Sequence, residues 1–299
     1  MRLVPSSLTV VRKRCLNTSS TRLQSTLSLH SEIIGNRDQQ SDSTIFLHGL
    51  LGNGRNLKTF ANKVCKVQNS RGYLIDMRGH GKSRIETFFP ESRHSFEGCV
   101  QDIIQATSDL DVESVVGHSW GGRMALQYAA TVDNPSLRRV WLLDTVPGKT
   151  NDSVDRVIHA VHQILQNEGA GGFERDQLIK RLQELGVETS IAQWLALSYN
   201  KKNDFGFDLS VVLDILPDFK DQPFYELLKT ILKKENVRVD LVRGGKNKEW
   251  DMDILKELQS IEFANTGKFA VHVLPKAGHW VHVDDLHGLL NLFETHRLF

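Results

Sequence analysis

The sequence predicts an α/β fold in which a mostly parallel sheet is flanked by helices and interrupted by a helical insertion. Three observations carry that expectation. Short apolar runs alternate with stretches of helical spacing over residues 27–143 and again from 237 to the end. Most of these runs are continuously apolar, the pattern of strands buried on both faces. Over residues 149–223 the strand signal stops and only amphipathic helical spacing remains.

Residues 27–34 alternate, with Leu27, Leu29 and Ile33 apolar, and read as an opening strand. Residues 44–47 form a second strand, stopped by His48-Gly49-Leu50-Leu51-Gly52-Asn53-Gly54, whose glycines demand a turn. Leu57, Phe60, Ala61 and Val64 then fall at helical spacing. The strand at 73–75 ends in Asp76-Met77-Arg78-Gly79-His80-Gly81-Lys82-Ser83, where Arg78 and Lys82 belong to a structural turn. Ser95 and Gly98 open a helix whose buried face runs through Val100, Ile103, Ile104 and Thr107 to Leu110. A strand at 114–116 leads into a helix at 120–132 with Met124, Ala125, Tyr128 and Ala129 on one face. The next strand, 139–143, is ended by Asp144.

In the insertion, helices are expected at 154–165, 175–185, 190–198 and 209–216, punctuated by Gly169, Gly171, Gly172 and Pro217. A helical segment of this length in an α/β chain is most simply a lid or cap over a site. The sheet resumes with a strand at 237–242, a helix at 251–258 and a strand at 269–274. Gly278-His279-Trp280 follows, and a helix from 285 to about 296 closes the chain.

Composition narrows the function classes. A chain of 299 residues, 40% apolar and 24% charged, buries a core without disulfide or metal staples. It holds no apolar run long enough for a transmembrane helix, and a net charge of +1 offers no basic surplus for nucleic acid. The charge is unevenly spread. Residues 1–31 carry Arg2, Arg12, Lys13, Arg14 and Arg22, many Ser and Thr, and no acid, which is the composition of a mitochondrial or plastid transit peptide. Arg22, two residues before Gln24, and Arg14, ten before it, place a processing cut after Leu23. Residues 1–23 are thus expected as a presequence and 24–299 as one domain, with the mitochondrial matrix as destination and the plastid as the alternative. Losing the five basic residues takes the formal charge from +1 to −4. Cys15, Cys65 and Cys99 lack CxxC spacing and suit a reducing compartment. No cluster has metal-ligand spacing, no cofactor is expected, and the oligomeric state leaves no mark in the sequence.

The chemistry concentrates in Gly117-His118-Ser119-Trp120-Gly121-Gly122, a Gly-x-Ser-x-Gly spacing between an apolar strand and a helix. A serine there sits on a turn too tight for side chains at its neighbours, with its hydroxyl lifted above the sheet. The helix amino end offers free N–H groups to a developing anion. A serine nucleophile needs a base and an orienting acid. His279 occupies the loop after the last strand, where the chain order Ser, acid, His places the base. His118, His272, His282 and His287 show no partner pattern and read as ordinary surface or core histidines.

With these motifs the chain resembles the α/β-hydrolase family over nearly all of residues 27–299. The His48-Gly49-Leu50-Leu51-Gly52 loop, the Asp76–Ser83 segment, the serine turn and Gly278-His279-Trp280 match in order. Within the family it is most similar to ABHD11-type esterases, which include mitochondrial members, with yeast ethanol acetyltransferases as a related branch. The resemblance implies an α/β-hydrolase fold with a helical cap. The chain departs from the common pattern at the acid. The loop after residue 242 has no acid at the usual place, and relatives of this type use the position of Asp144. Asp144 is the candidate, with Asp251 and Glu249 as alternatives. Two backbone donors are needed for the oxyanion: Trp120 supplies one, its indole set to wall the pocket, and Leu50 the other. The expected function is a serine hydrolase that cleaves a small carboxylic ester or thioester through an acyl-enzyme on Ser119. Acyl transfer from acyl-CoA to an alcohol on the same triad is the alternative, and a non-catalytic scaffold the third.

Overall fold

A computed structural model describes residues 27–36, 42–84, 94–148, 152–167, 172–200 and 204–296. The expected presequence lies outside these residues, as do 149–151 at the start of the expected cap. The first part of the described chain runs β1 (Ser31–Gly35), β2 (Ser43–Leu47), α1 (Lys58–Gln68), β3 (Arg71–Ile75), α2 (Phe96–Ala106), β4 (Val112–His118), α3 (Trp120–Thr131) and β5 (Arg139–Leu143). Five helices follow: α4 (Asp152–Asn167), α5 (Arg175–Glu184), α6 (Thr189–Ser198), α7 (Leu209–Lys220) and α8 (Phe224–Leu232). The chain then continues through β6 (Arg238–Gly244), α9 (Met252–Ala264), β7 (Phe269–Leu274), α10 (Val281–Asp284) and α11 (Leu286–Thr295).

Among the described residues the strands form one sheet of seven, ordered β1-β3-β2-β4-β5-β6-β7. β1 pairs antiparallel with β3, and the remaining neighbours are parallel. Strand order reverses between β2 and β4, and a crevice at the carboxyl ends of the strands opens at such a reversal. β2 and β5 are buried at every position, which is why Ile45 to Leu47 and Val140 to Leu143 are unbroken apolar runs. One face of the sheet is covered by α1 and α11. There Phe60 meets Phe46 and Phe293 edge-on at 6.1 and 5.4 Å, and Trp141 stacks on Phe293 at 3.9 Å. Such pairs add about 0.5–1.5 kcal/mol each beyond the area they bury. The other face is covered by α2, α3 and α8, with Met124, Ala125, Tyr128 and Ala129 of α3 buried as expected. No helix among the described residues is long and apolar enough to cross a membrane.

Three expectations need correction. The opening strand starts at Ser31, and its inward residue is Ile34, 6% exposed, whereas Ile33 is 45% exposed. Pairing with β3 sets this register: Ile34 lies opposite Gly72 and fills the space its missing side chain leaves, where a Cβ would sit 2.8 Å from Ile34 Cγ1. Pro217 does not end a helix, because α7 runs through it. Proline in a helix interior costs about 3 kcal/mol; Val212, Ile215, Leu216 and Phe219, all buried in the main core, offset it. Finally, α8 is absent from the expected helices, although Phe224, Leu228, Ile231 and Leu232 are spaced as one buried helical face. It packs on α3, so it belongs to the layer covering the sheet.

Candidate active site

The carboxyl ends of the parallel strands border a cavity of about 1360 Å³, roofed by Val154, Val157, Ile191, Trp194 and Phe219 of α4, α6 and α7. Ser119, Asp144 and His279 all line it, although Asp144 and His279 are 135 residues apart in the chain. They follow β4, β5 and β7 respectively, so the parallel sheet delivers all three to the same edge.

Ser119 sits between β4 and α3 with φ 54° and ψ −117°. Its glycine neighbours are obligatory: a Cβ on Gly117 would meet the Gly121 carbonyl oxygen at 2.1 Å, and one on Gly121 would meet that of Leu47 at 2.2 Å. Among the described residues four non-glycines have positive φ: Leu51, Asn69, Ser119 and Asp144. Three of these four line the cavity, as expected where backbone strain is held in place for function.

Trp120 opens α3, so its N–H has no carbonyl one turn earlier to bind. On the facing loop, Gly52 N–H donates to the Gly49 carbonyl at 3.1 Å, closing a turn with Leu50 and Leu51 at its centre. Leu51 N–H donates to His80 Nε2 at 3.2 Å, which leaves Leu50 N–H as the central amide beside the cavity. Trp120 is among the residues that line the cavity. Its indole is fully buried against His80 and His48, with ring centroids 5.2 and 6.2 Å away.

Asp144, fully buried, accepts four hydrogen bonds, two on each oxygen. Gly244 N and Trp250 Nε1 donate to Oδ1, both at 2.8 Å. Asn247 Nδ2 and His279 Nδ1 donate to Oδ2 at 2.5 and 2.7 Å. The ring is thereby held as the Nδ1–H tautomer, with Nε2 open to accept a proton. Burial by itself would lower the pKa of His279. The Asp144 hydrogen bond and charge, helped by Glu249 and Asp284, override burial and hold it above the ordinary imidazole value.

The two alternative acids are placed otherwise. Asp251 caps α9, accepting from the N–H groups of Asp253 and Ile254 at 3.0 and 2.8 Å. Glu249 accepts from Ser153 Oγ at 3.1 Å. Cys65 and Cys99 are buried free thiols, pushed up to about 11 and 12 by that burial, which keeps them from acting as nucleophiles at neutral pH. No grouping of three metal-ligating side chains occurs among the described residues.

Several supporting residues escape a reading by spacing. His48 donates from Nδ1 to the Gly49 carbonyl at 2.8 Å and accepts from Met77 N–H at 3.0 Å. His80 donates from Nδ1 to the Arg78 carbonyl at 2.8 Å while accepting from Leu51. Burial pushes them down to about 4 and 3, so both stay neutral and keep the one tautomer that fits. His118 is more than an ordinary core histidine: its Nε2 lies 2.9 Å from the His279 carbonyl, and its ring packs between those of His279 and His282. Asp76, Arg78 and Lys82 do build a turn. Asp76 accepts from the N–H groups of Gly54 and Lys82, and Arg78 forks onto Asp102 at 2.6 and 2.8 Å.

A family model described as the alpha/beta hydrolase fold matches residues 45–176. An sn-1-specific diacylglycerol lipase ABHD11 from Xenopus laevis is 25% identical over 258 residues, covering 83% of this chain and 77% of that protein. A probable alcohol acetyltransferase from Saccharomyces cerevisiae is 26% identical over 144 residues, covering 45% of this chain and 40% of its own length. Among solved structures, a marine microorganism esterase superposes with a TM-score of 0.68 at 19% identity, covering 89% of this chain and 98% of its own.

Proposed function

We propose, for a chain that has the α/β-hydrolase fold, that it is a serine hydrolase of carboxylic esters or thioesters with Ser119, His279 and Asp144 as its triad. The observation that carries this reading is the 2.7 Å bond from His279 Nδ1 to Asp144, made at the rim of the cavity that the Ser119 turn also lines. His279 Nε2 takes the Ser119 proton as Oγ adds to the acyl carbonyl carbon. The carbonyl oxygen becomes an oxyanion held by the N–H groups of Leu50 and Trp120. Collapse breaks the bond to the alcohol or thiol, which leaves with the proton from His279, and Ser119 remains acylated. Water then gives a proton to His279 and adds to the acyl carbon; collapse returns the proton to Ser119 Oγ and releases the acid. The sum is ester plus water to acid plus alcohol.

The Leu51–His80 bond supports the assignment of Leu50, because it pins the loop that must present the amide. Similarity to an alcohol acetyltransferase favours a second reading, in which an alcohol replaces water in deacylation. The ratio of new ester to free acid formed from a thioester with ethanol present separates the two. Ser119→Ala tests the common part: turnover of short esters and covalent labelling by a fluorophosphonate should both vanish while the far-ultraviolet circular dichroism is kept. Labelling that persists in that variant would move the nucleophile elsewhere.

A further inference from the structure

Arg123 is a buried charged group that lines the cavity and that this chemistry leaves without a role. It stands one turn after Ser119 on α3, its N–H donating to the Ser119 carbonyl at 3.3 Å, and it is 2% exposed. The guanidinium donates to three backbone carbonyls: Nη1 to Phe219 at 3.3 Å, and Nη2 to Val146 at 2.7 Å and Gly148 at 2.5 Å. It lies over the Phe219 ring at 4.8 Å. Among the described residues no carboxylate pairs with it.

The other buried arginines are treated differently. Arg78 is matched by buried Asp102 at 2.6 Å and Arg139 by buried Asp240 at 2.7 Å. Arg123 lines the cavity of Ser119, and neither of the other two does. Carbonyls satisfy hydrogens but leave the net charge uncompensated, which is costly in a buried site. Burial lowers the Arg123 pKa to about 10, so the group is still a cation at neutral pH. A guanidinium has five N–H donors, and carbonyls take three of its bonds. Val146, Val157 and Phe219 line the same cavity, an apolar wall that suits methylene groups.

We infer that Arg123 is an anion subsite of the acyl chamber, and that the preferred substrate is a monoester or monothioester of a short dicarboxylic acid whose free carboxylate meets Arg123. The inference rests on Ser119 being the nucleophile, as proposed above. The acyl part is the one that carries the carboxylate, because His279 must reach the leaving-group atom, whereas Arg123 is held by α7 and the loop after β5. Four residues of helix rise about 6 Å, which suits a short diacid. A carboxylate there completes the charge-assisted pairing that the fold supplies to Arg78 and Arg139.

Monoethyl glutarate against ethyl pentanoate, followed by acid release, tests this with two esters of equal acyl chain length. Wild-type kcat/KM should favour the glutarate by at least tenfold, mostly through KM. In Arg123→Met that ratio should fall to near one; in Arg123→Lys, which keeps the charge without the planar fork, part of it should survive. Both esters are assayed on the same protein, so a loss of folded enzyme cancels. Independently of turnover, free glutarate should raise the Tm of Ser119→Ala protein and fail to raise that of the Ser119→Ala, Arg123→Met double variant. A wild-type ratio near one, or a ratio unchanged in Arg123→Met, overturns the inference. Turnover of the neutral ester without any glutarate effect would sink the subsite and spare the hydrolase. Stabilisation by glutarate through Arg123 with neither ester cleaved would do the reverse.

Discussion

The loops that leave β5 and β6 stand side by side at the cavity edge and are built in opposite ways. The first turns at Asp144, a fully buried carboxylate held at φ 46°. The second, where the resemblance to α/β-hydrolases would put the acid, contributes donors in its place: Gly244 N, Asn247 Nδ2 and Trp250 Nε1 all point at Asp144. The strands that carry them are parallel neighbours, with Leu143 opposite Val242, so a carboxylate at either end reaches the same volume. The charge can therefore sit one strand over without altering what His279 meets, provided the vacated loop supplies hydrogen bonds. Buried carboxylates demand such satisfaction.

The sharpest break of this division is Asp144→Asn. It keeps the size, removes the charge that steadies the imidazolium and offers the ring an amide in its place, so kcat should fall by about 10⁴-fold with the fold intact. Steady-state kinetics beside thermal unfolding measure both; a variant with near-normal kcat would return the acid to the β6 loop. The donors come next. Trp250→Phe and Asn247→Ala each remove one hydrogen bond to a buried charge, worth about 1.5–3 kcal/mol. Denaturant unfolding should show a loss of that order, with kcat falling far less than in Asp144→Asn. If either variant matched Asp144→Asn in rate, the two loops would not divide charge and donors as described.

A smaller effect is expected from Asp251→Ala, which removes the α9 cap and should cost about 0.5–2 kcal/mol of stability while leaving kcat unchanged. A collapse of kcat instead would make Asp251 part of the triad. The least change is expected from Glu249→Gln. In the proposed mechanism His279 must be neutral to act as base, so kcat/KM should be full above its pKa and fall as pH drops through it. Because that pKa is raised, the acid limb of the wild-type profile should lie above the ordinary imidazole value near 6.5. Glu249 is one of the charges raising it, so Glu249→Gln should move the limb to lower pH. A limb that stays put would show that Glu249 does not act on the base.

What the sequence by itself determined is everything carried by short-range pattern. Apolar runs located β2, β3 and β5 to within a few residues, because strands buried on both faces tolerate little else. Glycine spacing located the Ser119 turn, because the steric demand acts between residues a few positions apart. The place of Asp251 at a helix start was equally legible, and so was the position of His279 in the loop after the last strand. Tertiary structure decided the rest. Which carboxylate faces His279 depends on strand order and on donors in a neighbouring loop, not on any local spacing. The inward choice of Ile34 over Ile33 came from pairing with Gly72, since alternation marks two faces without saying which one is covered. The continuation of α7 through Pro217 came from packing, which outweighs a local breaker. That no carboxylate among the described residues pairs with Arg123 is likewise a fact about distant segments, because only the folded chain brings Phe219, Val146 and Gly148 to its guanidinium.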